Sequence, residues 1–460
     1  MSEIELAADA EDDVYALDRE TIREVRAAVE AEDQAALLAA MEPMHPADVA
    51  DLLEQLGSGE RRELIALLGD EFDGDILSEL DEGLREEVID ALSPEVLTQA
   101  VRELESDDVV DLLEALDEPE QQETILDALE GSDRLAVEQA MSFPENSAGR
   151  LMQREVVAAP EHWTVGDAID FMRSTLDLPE QFYHIIIVDP RYRPIGYVTL
   201  GKVMSSDRVT KLVDVQEESF RTIPFDQDEE DVAYAFNQYH LISAPVVDDD
   251  GRLVGVITID DAMNVLSEEH EEDLLLLAGV GDESIADRTL QIVRQRFPWL
   301  LVNLGTAILA SIVIAQFEDV LQAVVALAVL MPIVASMGGN AGTQSMTVAV
   351  RALATRDLTG SNGWRVVRRE TLAGLLNGMA FAIIVGIVGL VWFGMPMLGV
   401  VIALAMVINL VVAGLAGVLI PIILDKVGVD PALASGTFVT TVTDVVGFFA
   451  FLGLAGAILL

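Results

Sequence analysis

Five long apolar runs in the C-terminal part of the chain decide most of what it can become: Phe297 to Phe317, Val320 to Val350, Thr371 to Phe393, Met395 to Leu424 and Pro431 to Leu460. Each reaches roughly the 20 residues that a helix needs to cross the hydrocarbon core. They are expected as five transmembrane helices. Within these runs a single ionisable residue occurs, Asp444, near the middle of the last. A charge at that depth costs roughly 2.5 to 3.5 kcal/mol on insertion scales, and that run holds no Lys or Arg to neutralise it. Its default reading is an ion pathway. The alternative is a helix-packing acid that stays protonated or pairs with an Arg of another segment.

The formal charge of -53 is confined to the other part. From Gln291 onward there are eight basic and seven acidic residues, net +1, which leaves 19 basic and 73 acidic residues before it, net -54. Such an acidic face repels nucleic acid and anionic lipid and attracts cations. Only three lysines occur (Lys202, Lys211, Lys426), a composition suited to a salt-rich cytoplasm, where a Debye length of about 3 Å at 1 M would screen the self-repulsion. No cysteine is present, which removes disulfides and thiolate metal sites. The opening MSEIELAADAEDD has neither the basic nor the apolar region of a signal peptide, so the N-terminal half is expected in the cytoplasm. Arg351, Arg356, Arg365, Arg368 and Arg369 gather between the second and third runs, which by the positive-inside rule puts the N-terminus inside and the C-terminus outside. Five helices make a thin wall for a pore, and an axial pore in a twofold dimer is the simplest solution.

The second run contains MPIVASMGGNAGTQS. Pro332 and the glycines are expected either to break the helix, freeing carbonyls that join the Asn340 and Gln344 amides as hard oxygen ligands, or to let helices pack closely. Magnesium keeps several waters, and neutral amides suit its hydration shell.

In the soluble half, residues 18 to 145 read as an array of short antiparallel helices, preceded by a disordered acidic segment, 1 to 17. Leu and Val recur there at three- and four-residue steps, with Pro, Ser and Asp at the starts. From 146 to 266 the sequence repeats: HIIIVDPRYRPIGYVTLGKVM parallels SAPVVDDDGRLVGVITIDDAM. Each copy reads as strand, acidic turn, strand and helix, preceded by an amphipathic helix. The pair resembles tandem CBS domains, about 146 to 208 and 209 to 266, regulatory modules that often bind adenine nucleotides. Gly255, Thr258 and Asp261 fit the G-x-x-[ST]-x-x-D pattern for phosphate and ribose; the first copy has Lys202 in place of the Asp. An acidic connector, 267 to 293, follows and can act as a lever between sensor and pore. A transmembrane domain occupies 294 to 460. The fold class is therefore multidomain: a helical superhelical array, an α/β CBS pair, a connecting helix and five α-helical spans.

With these parts in this order, and with HPADVADLLEQL, PENSAGRLM, EEDLLLLAGV, GGNAGTQS and DPALASGTFVTTVTDVVGFF as local matches, the chain resembles the MgtE family of magnesium channels over essentially its whole length. The resemblance implies a homodimer whose pore is lined by the last helices. It implies an ion site at Asp444, with a backbone oxygen from Thr440. It further implies regulatory Mg2+ between acidic cytosolic faces that closes the pore, at Asp228, Glu230, Asp261, Glu269, Glu272 and Asp273, with Asp75, Asp107 and Asp111 of the array. His240 and Asn264 stand where family members carry acids, which puts the number or affinity of the sensing sites in doubt. Competing readings are a transporter of another divalent ion, Mn or Co, and a membrane-anchored nucleotide sensor without transport. An enzyme is disfavoured, because five histidines and no cysteine leave no catalytic constellation. In a chloride channel the CBS pair would follow the spans, and an acidic vestibule would repel the anion.

Overall fold

The computed structural model describes residues 17–116, 119–175, 178–179, 181–217, 219–280, 289–358 and 361–460. The acidic opening segment apart from residue 17, and residues 281–288 of the connector, lie outside the described residues. The chain forms two compact units, Met1–Glu268 and Glu269–Leu460.

The first unit begins with helices Arg19–Glu30 and Gln34–Met41, followed by four helix pairs: Pro46–Gln55 with Ser58–Leu68, Asp75–Ser78 with Glu82–Ala91, Pro94–Glu103 with Ser106–Glu114, and Pro119–Ala128 with Gly131–Ala140. Local chemistry sets the starts. His45 and Asp48 form a reciprocal cap with Pro46 in the first turn, and Ser93 accepts from the Val96 amide ahead of Pro94. The inward stripe, including Leu52, Leu53, Leu64, Leu68, Leu77, Leu112, Leu113 and Ile125, makes one continuous core.

A buried arginine recurs in this array. Arg61 donates from Nε to Leu53 O (2.9 Å) and from Nη2 to Leu56 O (2.9 Å), satisfying carbonyls at the end of the preceding helix. Its Nη1 reaches Glu87, 26 residues ahead, at 2.6 Å. Arg85 does the same one repeat later, donating to Leu80 O (2.8 Å) and Ser78 O (3.1 Å) and pairing with Asp111 at 2.7 Å. The side chains are 6 % and 8 % exposed, so each guanidinium depends on the carboxylate of the next pair for its neutrality.

The duplicated α/β region forms two three-stranded sheets. β1 (Ala158–Pro160) runs parallel to β2 (His184–Val188), which is antiparallel to β3 (Pro194–Thr199). β4 (Ile223–Pro224), β5 (Ser243–Val247) and β6 (Leu253–Thr258) repeat that order. The repetition extends to irregularities. Both central strands shift register before the turn, at Ile187/Val188 and Val246/Val247. Both turns are held by an acid, Asp189 taking the amides of Arg191 and Arg193, and Asp248 those of Asp250 and Arg252. The left-handed position of that turn is Tyr192 in one copy and Gly251 in the other.

After β6 a single helix, Ile259–Ala278, runs unbroken past residue 266, so the last helix of the second copy and the start of the connector are one rod.

The second unit contains five helices long and apolar enough to cross a membrane among the described residues. They lie in Thr289–Ala315, Ala326–Ala354, Gly363–Phe393, Pro396–Val427 and Pro431–Leu459, here the first to last spans. The interruption in the second apolar run falls elsewhere than at Pro332 and the glycines. A short helix, Glu318–Ala323, precedes the second span, which then continues through Pro332, Gly338, Gly339 and Asn340. The glycines serve packing. A Cβ on Gly342 would lie 2.5 Å from Val439 Cγ1, one on Gly417 2.6 Å from Gly342 O, and one on Gly374 2.4 Å from Leu410 O. Because the helix is continuous, the break that was to free carbonyls there does not occur.

Candidate functional site

The last span starts at Asp430, whose carboxylate accepts from the Ala432 amide at 2.7 Å, with Pro431 in the first turn. Threonines dominate its next turns. Thr437 Oγ1 donates to Asn303 Oδ1 of the first span at 2.9 Å. The Thr440, Thr441 and Thr443 hydroxyls turn back onto carbonyls of their own helix at 2.6 to 3.1 Å. Asp444 follows, half-buried within one chain. The Thr440 carbonyl, expected to face the ion, accepts the Thr443 hydroxyl at 3.0 Å.

On the second span Asn340 and Gln344, four residues apart, lie on one exposed face, with Asn340 Nδ2 3.4 Å from Ser336 Oγ. Their neighbour Gly339 approaches Thr440: a Cβ there would be 4.0 Å from Thr440 Cγ2. The second span thus meets the threonines through Gly339 and Gly342, while the amides stay on an exposed face of an unbroken helix. One further acid escaped the sequence reading: Glu370, at the start of the third span, accepts from Ser345 Oγ at 3.2 Å and pairs with Arg369 at 3.2 Å.

The cytosolic candidates separate into groups. Asp107, buried at 7 % exposure, Asp108, Asp75, Asp111 and Glu105 of the helical array converge electrostatically with Asp261, Asp260 and Glu155 of the CBS pair. Burial, reinforced by these neighbours, pushes Glu105 and Asp108 up to about 7 and raises Asp107 well above the carboxylate range. Asp261 is raised to about 6, burial outweighing its hydrogen bonds to Thr258. Burial, with Glu268, Asp228, Glu114 and Asp111 adding repulsion, brings Glu229 to about 7. Glu105, Asp108, Glu155 and Glu229 join the candidates only through convergence in space, invisible among 80 acids. Among the described residues no group of three or more carboxylate or imidazole side chains is arranged to hold a metal ion.

Two expected sensing acids also have local roles. Asp228 caps helix Glu229–Tyr239 by accepting from the Glu230 amide at 3.1 Å, and Asp111 is the counter-ion of Arg85. His240 ends the same helix in the left-handed conformation, and Asn264 lies exposed on the rod. Thr258 Oγ1 donates to Asp261 Oδ2 at 2.6 Å, a cap at the head of the rod. The nucleotide candidates are thus engaged with each other. In the first copy, Lys202 pairs with Glu217 at 3.1 Å.

Glu269, Glu272 and Asp273 lie on the far part of the rod, within the second unit. Burial, with Asp430 nearby, raises Asp273. Leu276 packs in an apolar cluster with Met346, Val350, Ala432 and Val439, joining the end of the rod to the second and last spans.

A helical array, a duplicated α/β module and five spans with one mid-helix carboxylate define a multidomain membrane transport protein. The matches to known proteins specify it. The MgtE intracellular N domain model matches residues 44–146, the CBS domain model 148–208 and 213–268, and the MgtE model, described as a divalent cation transporter, 331–454. The chain is 34% identical over 435 residues to the magnesium transporter MgtE of Thermus thermophilus, covering 93% of this chain and 96% of that one. It is 30% identical over 420 residues to that of Bacillus subtilis, covering 91% and 92%. Its soluble part is similar to the crystal structure of the cytosolic domain of the Mg2+ channel MgtE in complex with ATP, with a TM-score of 0.50 and 30% identity over 53% of this chain and 99% of that chain. The chain belongs to the MgtE family.

Proposed function

We propose that the chain is a magnesium channel of the cytoplasmic membrane, working as a homodimer, with its N-terminus inside and C-terminus outside. The observation that carries this is Asp444, a half-buried carboxylate midway along a span that is otherwise uncharged and flanked by hydroxyls, in a chain whose relatives are named as magnesium transporters. In a twofold dimer, two copies near the axis form a site of high negative potential. A divalent ion neutralises that pair better than a monovalent one, and hydrated Mg2+ is held through its waters by the acids, the Thr440 carbonyl and the Asn340 and Gln344 amides. Magnesium uptake into liposomes by wild type and Asp444→Asn tests it; wild-type rate and selectivity in the variant would sink it. The family description, divalent cation transporter, keeps Mn and Co in play, and competition in the same assay separates them.

Cytosolic Mg2+ closes this channel by bridging acids that otherwise repel: Asp75, Asp107, Asp111 and Asp261 in one cluster, Asp228 and Glu230 beside Glu229, and Glu269, Glu272 and Asp273 along the rod. Two like charges 4 Å apart repel by about 4 kcal/mol at an effective dielectric of about 20, so a few bridged pairs suffice to bias a gate. Magnesium keeps its waters, so acids too far apart to touch one ion can share its hydration shell. Flux measured against internal Mg2+ tests this; an absence of internal inhibition removes the regulatory reading. The ATP-bound relative supports a nucleotide at Thr258 and Asp261, and calorimetry with ATP, with and without Mg2+, decides whether Asp261 serves nucleotide or metal.

A further inference from the structure

One polar side chain in the membrane unit belongs to none of these groups. Asn409, in the middle of the fourth span, is fully buried at 0 % exposure. Its Nδ2 donates to Val334 O of the second span at 2.8 Å, a bond that crosses from helix to helix. Its Oδ1 is buried without a hydrogen-bond partner among the described residues. Two helices leave out a side chain to admit this amide. A Cβ on Gly338 of the second span would lie 2.2 Å from Asn409 Nδ2, and one on Gly447 of the last span 2.9 Å from Nδ2 and 3.0 Å from Oδ1.

A carboxamide with an unpaired oxygen is a costly filler for a gap between spans, where an apolar side chain carries no such penalty. What it provides is a fixed three-way junction: bonded to the second span and seated against Gly447, it sets how closely the last span approaches the second. Gly447 lies three residues beyond Asp444, less than one helical turn along the same helix.

We infer that Asn409 is a positioning residue for the ion pathway: its amide, wedged between Gly338 and Gly447, holds the last span in fixed register against the second span and so sets the position of Asp444. The inference rests on Asp444 being the pore acid. Asn409 itself touches no ion; it acts through the helix that carries Asp444.

The test compares wild type, Asn409→Val, Asn409→Ala and Asp444→Asn as purified full-length protein in liposomes. The readouts are Mg2+ flux per assembled protein, selectivity for Mg2+ over Ca2+ and Na+, and the thermal midpoint in detergent. Asn409→Val removes the unpaired oxygen, so its thermal midpoint is expected to equal or exceed that of wild type while flux falls at least tenfold and selectivity relaxes. Asn409→Ala is expected to lose selectivity likewise. Wild-type selectivity in both variants, with or without a lower midpoint, would reduce the amide to packing and overturn the inference. Failure of both to assemble assigns the amide to folding and overturns it too. Loss of conduction in Asp444→Asn with intact Asn409 variants defeats this inference alone. Unchanged conduction in Asp444→Asn defeats the pore reading, and this one with it.

Discussion

The first and second units of this protein face the same electrostatic problem and answer it in opposite ways. In the first unit, carboxylates converge without enough cations nearby: Glu105, Asp107, Asp108 and Asp261 are partly buried together, and their proton affinities rise as a result. In the second, one acid stands at mid-span among hydroxyls and apolar groups. Water and salt screen the first arrangement; hydrocarbon does not, so a charge in the second carries a cost that the first avoids. The difference teaches that acid count is a poor guide to function here and acid placement a good one.

The comparison breaks most visibly at Asp444. Asp444→Asn preserves shape and removes charge, and Mg2+ conduction is expected to fall about a hundredfold, a loss of about 2.8 kcal/mol at about 1.4 per decade, with dimer assembly intact by chemical cross-linking. Removing a cytosolic acid is expected to act differently, on the dose of internal Mg2+ needed for inhibition. The triple change Glu269→Gln, Glu272→Gln and Asp273→Asn tests this, and an unchanged inhibition curve together with unchanged protease protection by Mg2+ would make these acids mere surface charge.

A second contrast lies within the array. Glu87→Ala strands the buried Arg61 and is expected to cost about 3 kcal/mol, read in the thermal unfolding of the full chain. Asp111→Ala strands Arg85 but also removes a repulsive neighbour of Asp108 and Glu229, so its cost should be smaller and its effect should include a changed response to Mg2+. Equal costs and no change in Mg2+ response would place Asp111 outside the cluster.

Proton binding gives a graded version of the same test. Glu105, Asp108 and Glu229, raised to about 7, and Asp261, raised to about 6, bind protons more tightly folded than unfolded. Their stabilising contribution is complete below the unfolded carboxylate range and is lost as pH rises through about 6 to 7. Without Mg2+, the cytosolic unit should therefore resist proteolysis better at pH 5 than at pH 8, and added Mg2+ should protect more at pH 8. A flat pH dependence would mean these acids lie in water. The smallest effect is local: Thr258→Val removes the hydroxyl bond to Asp261 at the head of the rod and should cost about 1 kcal/mol in thermal unfolding.

The five spans were legible because lipid leaves a chain few options, and charge-free runs advertise the choice. The duplication was legible because both copies use the same turn, with Asp189 and Asp248 at its corner. Whether Gly338 and Gly342 break a helix or pack one was not, since that depends on Asn409, Ala413 and Val439 arriving from other helices. The converging acids are partly hidden by abundance: resemblance points to Asp107, Asp111 and Asp261, whereas Glu105, Asp108 and Glu229 stand out only once distant segments meet. Asn409 gave no sign at all, being one amide in an apolar run whose meaning lies in an unpaired oxygen.

The paired arginines give the helical array a direction in time. Arg61 finds its carboxylate 26 residues further along, at Glu87, and Arg85 finds its own at Asp111. During synthesis at about 5 to 20 residues per second, the first and second helix pairs each emerge with a guanidinium that stays unneutralised for about 1 to 5 seconds, until the following pair appears. The first three pairs are thereby biased to form in order from the N-terminal end, the first and second each finished only by its successor.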